Sequence, residues 1–167
     1  MDVHLAEILP SQKSLFFNLF NLYLHDLSAF TGEEPGEDGR FDLANTYLYL
    51  EREELHPYFI YCSGKVAGFI LVCAPPFVPE DIDFTVQEMF VLHKYRGRKA
   101  AEAAVSDILR RLSGRIRVEQ LQNNAVAVAF WKKIYRQHGI SFVESIESVE
   151  IEGLSGLHDV LAQTFSL

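Results

Sequence analysis

Apolar and polar positions along the chain fall into short runs, each with its own period. Residues 2–8 alternate and predict a strand at a sheet edge. A longer run opens at Pro10 or Ser11 and continues to about Phe30. Within it Leu15, Phe16, Leu19, Phe20, Leu22, Tyr23 and Leu27 recur at helical spacing, interrupted by Asn18, Asn21 and Asp26. Residues 43–54 predict a short helix with Tyr47, Leu48 and Leu50 as its apolar contacts. Residues 57–62 and 66–73 read as a β-hairpin, joined by the three-residue connection Ser63, Gly64 and Lys65. The unbroken run 82–92, rich in β-branched and aromatic side chains, predicts a buried strand. From about Gly97 the period changes: Ala100, Ala101, Ala104, Val105, Ile108, Leu109 and Leu112 form one helical stripe, stopped at Ser113 and Gly114.

Residues 115–121 alternate again, so 82–121 predicts a β-α-β unit with parallel strands and a right-handed crossover. Asn123 and Asn124 cap a helix expected over 125–138. Residues 141–151 predict a long strand whose one phase shift calls for a bulge, and 157–165 a short terminal helix. The fold class is α/β, in a single domain over 1–167 with no repeat and no low-complexity tract.

Length and composition narrow the class. A chain of 167 residues with 49% hydrophobic side chains buries a sizeable core and excludes disorder. Cys62 and Cys73 are the only cysteines, and their place inside strands predicts buried thiols in a reducing compartment. No Cys-x-x-Cys pair offers a zinc site, and the acidic loop 31–39 lacks the spacing of a calcium ladder, so no metal is expected. No apolar run reaches membrane-spanning length and no signal segment opens the chain, so a cytoplasmic location is expected. His25 lies in the first helix, where a packed or surface role competes with a catalytic one.

Charge changes the picture most. The net charge is −8, yet residues 94–117 carry eight basic against two acidic side chains, +6, leaving −14 for the rest. A basic segment in an acidic protein predicts a local polyanion site rather than a nucleic-acid surface, against the alternative of a solvated helix face. The segment His93 to Lys99 is a basic turn between a strand and a helix start. Free amides and the positive end of the helix dipole gather there, and small residues at Gly97, Ala100 and Ala101 admit a phosphate close to the backbone.

These residues resemble the GNAT superfamily of N-acetyltransferases. The superfamily's acyl-CoA motif is Arg/Gln-x-x-Gly-x-Gly/Ala after an apolar strand, and here it reads Arg96, Gly97, Arg98, Lys99, Ala100, Ala101. Arg96 and Ala101 match, while Lys99 stands where the superfamily has its first Gly. A second motif, Asn-x-x-Ala-x-x-aromatic-aromatic, is matched by Asn124, Ala127, Phe130 and Trp131. The resemblance covers about residues 58–145. It implies a GNAT fold, a mixed and mostly antiparallel central sheet with a parallel β-α-β unit at the acetyl-CoA site. It implies transfer of an acetyl group from acetyl-CoA to an amine of a small molecule or protein, with no metal. The partners implied are acetyl-CoA and the amine, not nucleic acid or a membrane, for a monomer or homodimer.

The resemblance also assigns roles. Phe90, Val91, Arg96, Gly97, Arg98, Lys99, Ala100, Ala101, Asn124, Ala127 and Trp131 would hold the cosubstrate, with a backbone N–H near Val91 receiving the thioester carbonyl. Glu88 is the one acid inside an apolar run and is the base candidate; burial would raise its pKa into a useful range. The alternative is a Glu facing solvent or paired with a cation. Where the superfamily has a Tyr acid this chain has Trp131, whose indole is no acid. Tyr135, one turn on, is the substitute candidate, with solvent as the other proton source and a packing role as the alternative. An acidic loop at 31–39 fits a cationic amine or simple solvation. The competing functional reading is a module that binds acyl-CoA without transferring the group. No Gly-x-Gly-x-x-Gly, Walker, Gly-x-Ser-x-Gly or His-Glu-x-x-His motif points to another chemistry.

Overall fold

The computed structural model describes residues 1–167. Ten main elements follow in order: β1 Val3–Glu7, α1 Lys13–Thr31, β2 Leu55–Cys62, β3 Lys65–Cys73, β4 Phe84–Val91, α2 Ala100–Arg111, β5 Arg115–Leu121, α3 Ala125–Gln137, β6 Val143–Glu150 and β7 Leu157–Ser166. The strands form one seven-stranded sheet in the order β1-β2-β3-β4-β5-β7-β6. Every pairing is antiparallel except β4 with β5, the pair joined through α2. This is the α/β fold that the β-α-β pattern predicts, with β1 at the expected edge.

Two layers of helix cover the sheet. On one face α1 sets Phe16, Leu19 and Phe20 against Phe59, Phe69, Leu71 and Phe90, an aromatic core. On the other face α2 and α3 pack Ala104, Val105, Ile108, Trp131, Ile134 and Tyr135 on Ile70, Val86, Ile116, Val118 and Phe165. The 3.6-residue stripes of α2 and α3 therefore face the sheet, and burying each large side chain there contributes roughly 1.5–3 kcal/mol.

The structure corrects four expectations. The C-terminal segment is no helix but β7, inserted between β5 and β6. Leu157, Leu161 and Phe165 have helical spacing, but Val160 and Ala162 are buried on the opposite face to Gln163 and Phe165. A strand covered on both faces loses its two-residue period, which is what misleads the reading. The hairpin connection is two residues, Ser63 and Gly64, because Cys62 pairs directly with Lys65. Both residues have positive φ, as a two-residue hairpin turn of this hand requires. The predicted helix at 43–54 shrinks to one 3-10 turn, Thr46–Leu50. Finally, β6 pairs with β7 without a break in register, and the bulge expected there is absent. It is an exposed edge strand, so its apolar residues need not keep phase.

Candidate active site

The site grows from an irregularity in β4. Leu71 pairs with Glu88 and Val72 with Val86, so Gln87 is an extra residue on β4, a bulge. On its other side β4 pairs with β5 only from Phe84 to Val86, against Ile116 to Val118. Beyond the bulge the two parallel strands part and leave a gap. The Leu92 N–H donates to Ala67 O on β3 at 2.7 Å. By backbone alternation Phe90 then faces β3, whereas Met89 and Val91 direct their N–H and C=O groups into the gap. Gly68 on β3 makes this closeness possible, because a Cβ there would overlap the Phe90 carbonyl.

At the end of β4 the chain makes a 3-10 turn, His93–Tyr95, and enters α2 through two left-handed residues, Gly97 (φ 70) and Lys99 (φ 63). The left-handed backbone explains why a Gly suits position 99, and here a Lys adopts it. Lys99 O accepts from Ala103 N at 3.0 Å, the first amide of α2 with a backbone partner. The six preceding amides, Gly97 through Glu102, donate to no protein acceptor. They line the mouth of a helix whose dipole is positive at this end, an anion cradle made of backbone.

Arg96 sits differently from a free phosphate contact. Its Nε donates to Val91 O in the gap at 2.7 Å, and its guanidinium lies 5.6 Å from the centre of the Phe90 ring. A terminal nitrogen pairs with Asp26 of α1, which His93 approaches at 3.5 Å. Arg96 thus straps α1 to the turn. The exposed Arg98 and Lys99 bring charge to the cradle. Across the gap Asn124 caps α3 through Ala127 N at 3.2 Å, and its neighbour Asn123 donates to Phe30 O at the end of α1. Trp131, 5% exposed, is turned into the core against Phe130 and Tyr135.

Glu88 lies on the α1 face of β4. The residue is half-buried, with protein crowding its carboxyl on most sides, and its pKa is pushed up to about 7. Desolvation is the main cause. The Tyr23 hydroxyl opposes it by donating to Glu88 Oε2, and the negative charge of Glu119 on β5 adds a further rise. This is the environment that a carboxyl needs to act as a base near neutral pH.

Tyr135 is not brought to the gap. It is 1% exposed and its hydroxyl donates to Gln163 Oε1 at 3.0 Å. Gln163 and Gln120 exchange two amide hydrogen bonds at 2.7 and 2.9 Å, and Gln163 also donates to Glu144, which pairs with Lys132 at 2.5 Å. Burial holds the Tyr135 pKa well above the ordinary tyrosine range. The structure gives this side chain a packing place, because its hydroxyl is spent on Gln163, which Gln120 and Glu144 hold in turn.

The sequence reading missed Tyr23 and Glu119. Tyr23 belongs to the apolar stripe of α1, and its hydroxyl gave no separate signal. A cleft of about 320 Å³ was also unforeseen; it lies between Phe30, Leu121 to Asn123, and Leu157 to Asp159. It lies at the C-terminal end of β5 and does not include Glu88.

Comparison with known proteins agrees with this geometry. The acetyltransferase (GNAT) family model matches residues 18–135. No curated protein matches the chain. Among solved structures, an acetyltransferase from Thermus thermophilus superposes with TM-score 0.70 at 18% identity, over 100% of this chain and 98% of that one. A probable acetyltransferase from Staphylococcus epidermidis gives 0.67 at 10% identity, over 99% of each chain. A spermidine N-acetyltransferase from Vibrio cholerae, in complex with CoA and spermine, gives 0.65 at 16% identity, over 98% and 95%. A strand pair that opens over a cradle of free amides, together with a family match across most of its length, shows that the chain belongs to the GNAT acetyltransferase family.

Proposed function

We propose that the protein transfers an acetyl group from acetyl-CoA to a primary amine, in one ternary complex. The observation that carries this reading is the gap between β4 and β5. One end has six free amides for the pyrophosphate, and a carboxyl near neutrality stands beside it. The pantetheine arm lies along the free edge of β4, reaching past Asn124 and Ala127 of α3, with Trp131 behind them in the core. The Val91 N–H in the gap receives the thioester carbonyl oxygen and stabilises the oxyanion. Phe90, Gly97, Arg98, Lys99, Ala100 and Ala101 complete the cosubstrate site, and Arg96 holds the turn.

The acceptor arrives as an ammonium, drawn by Glu88 and Glu119 on either side of the gap. Glu88 takes one proton, and the amine nitrogen attacks the carbonyl carbon. The tetrahedral intermediate collapses as the C–S bond breaks, and the nitrogen loses its second proton. One proton ends on the CoA thiol and the other in solvent, so the sum is amide, CoA and one released proton. With the Tyr135 hydroxyl tied to Gln163, solvent protonates the thiolate. The two buried free cysteines fit a reducing cytoplasm, and one sheet with β1 and β6 at its edges fits a single domain.

The same commitment of Tyr135 favours a second reading, a module that holds acyl-CoA without turnover. Calorimetry and thiol release separate the two. Acetyl-CoA should bind in about the micromolar range, roughly −8 kcal/mol. A panel of amines including spermidine should then release free CoA thiol. Binding without release supports the silent module; no binding at millimolar acetyl-CoA sinks both. In Ala101→Glu a carboxylate enters the cradle mouth, and affinity should fall at least tenfold, about 1.4 kcal/mol or more.

A further inference from the structure

We propose that Tyr23, on α1, is the positioning residue for Glu88: its phenol holds one carboxylate oxygen and leaves the other for the incoming amine. The inference rests on the transfer reading above. Tyr23 is separated from Glu88 by 65 positions in sequence, and its hydroxyl donates to Glu88 Oε2. No protein group donates to Oε1. Yet no buried side-chain oxygen in the molecule lacks a partner. It follows that Oε1 is the oxygen that reaches solvent. The carboxyl is pinned at one end and open at the other, the arrangement a base needs to accept a proton in one direction.

The Tyr23 ring is itself fixed. It packs edge-on to Phe20 at 5.5 Å and to Phe69 at 5.6 Å, and tilts against Phe90 at 6.0 Å. Phe69 and Phe90 belong to β3 and β4, so the phenol is registered to the same strands that carry the base. No cation pairs with Glu88, and Arg117 of β5 pairs with Glu119 at 2.7 Å rather than with Glu88. The titratable groups nearby are Tyr23 from α1, Tyr49 from the 3-10 turn, Cys73 from β3 and Glu119 from β5. Tyr49 spends its hydroxyl on Cys73 Sγ at 3.1 Å. Tyr23 is therefore the group that supports the ionised carboxylate, against burial and against Glu119, which both favour the neutral form.

The test reads Glu88 directly. Protein labelled with ¹³C at the glutamate carboxyls is titrated by NMR, and the Glu88 signal is identified by its loss in Glu88→Gln. In Tyr23→Phe the Glu88 midpoint should rise by about one pH unit or more, a tenfold larger neutral fraction. The acidic limb of kcat/KM with the best amine of the panel should move upward with it. With 3-fluorotyrosine at position 23, a stronger donor of nearly the same shape, the midpoint should fall. That second arm keeps the test decisive if the phenylalanine variant folds poorly. An unmoved midpoint in a folded variant, with wild-type acetyl-CoA binding, overturns the Tyr23 assignment alone. Wild-type protein that fails to bind acetyl-CoA overturns the transfer reading, and the role of Tyr23 with it, whatever the titration gives.

Discussion

Two tyrosines, Tyr135 buried and Tyr23 half-buried, meet polar partners on opposite faces of the sheet, and they differ in what their partners have left to offer. Tyr135 donates to Gln163, whose amide is already shared with Gln120 and Glu144. Every polar group there has a partner, the groups at its centre are neutral amides, and the network seals β5, β6 and β7 to α3. Tyr23 donates to a carboxylate with one oxygen free, at the rim of a gap in the sheet. A buried hydroxyl becomes structural when its partner is saturated and functional when its partner keeps an open valence. The difference lies in the neighbours, since the residue type is the same.

The comparison breaks most clearly at Glu88. Glu88→Gln should lower turnover by roughly 10²-fold while acetyl-CoA affinity stays nearly constant, because a base acts in the transition state. Steady-state kinetics beside calorimetry check this, and wild-type turnover in the variant would make Glu88 structural. The same substitution has a signature in stability. Burial raises the folded Glu88 pKa to about 7 from an ordinary 4.5. Between those values the native state binds more protons than the unfolded chain, so stability falls as pH rises through this window. Thermal melts from pH 5 to 8 should show that slope, and it should flatten in Glu88→Gln.

The saturated network should answer in stability alone. Gln163→Leu leaves the Tyr135 hydroxyl, the Gln120 amide and Glu144 short of a partner, and should cost about 1–3 kcal/mol in denaturant melts. Acetyl-CoA affinity should not change. The smallest effect is expected for Tyr135→Phe. It removes one neutral hydrogen bond and keeps the ring against Phe142 and Phe165, a loss of about 1 kcal/mol with turnover unaltered. A tenfold loss of turnover in Tyr135→Phe would reverse the contrast and return Tyr135 to the chemistry.

How far the sequence reached can be read from single residues. The basic turn, the small residues after it and the Asn124 cap are local features. Their spacing dictates a strand, a tight turn and a helix start whatever the rest of the chain does. The same is true of the isolated acid in an apolar run, which marked Glu88. The sequence alone thus determined the β-α-β unit, the family resemblance and the anion cradle. It could not show that 157–166 is a strand, because a strand covered on both faces has no period of its own and its place depends on β5 and β6 being there already. It could not choose between Tyr23 and Tyr135 either. Both stand in apolar helical stripes, and their roles come from partners 65 and 28 positions away. Contacts at that range exist only once the sheet is assembled. Tertiary structure therefore decided which hydroxyl meets a carboxylate with a free oxygen, and which is sealed in a closed network.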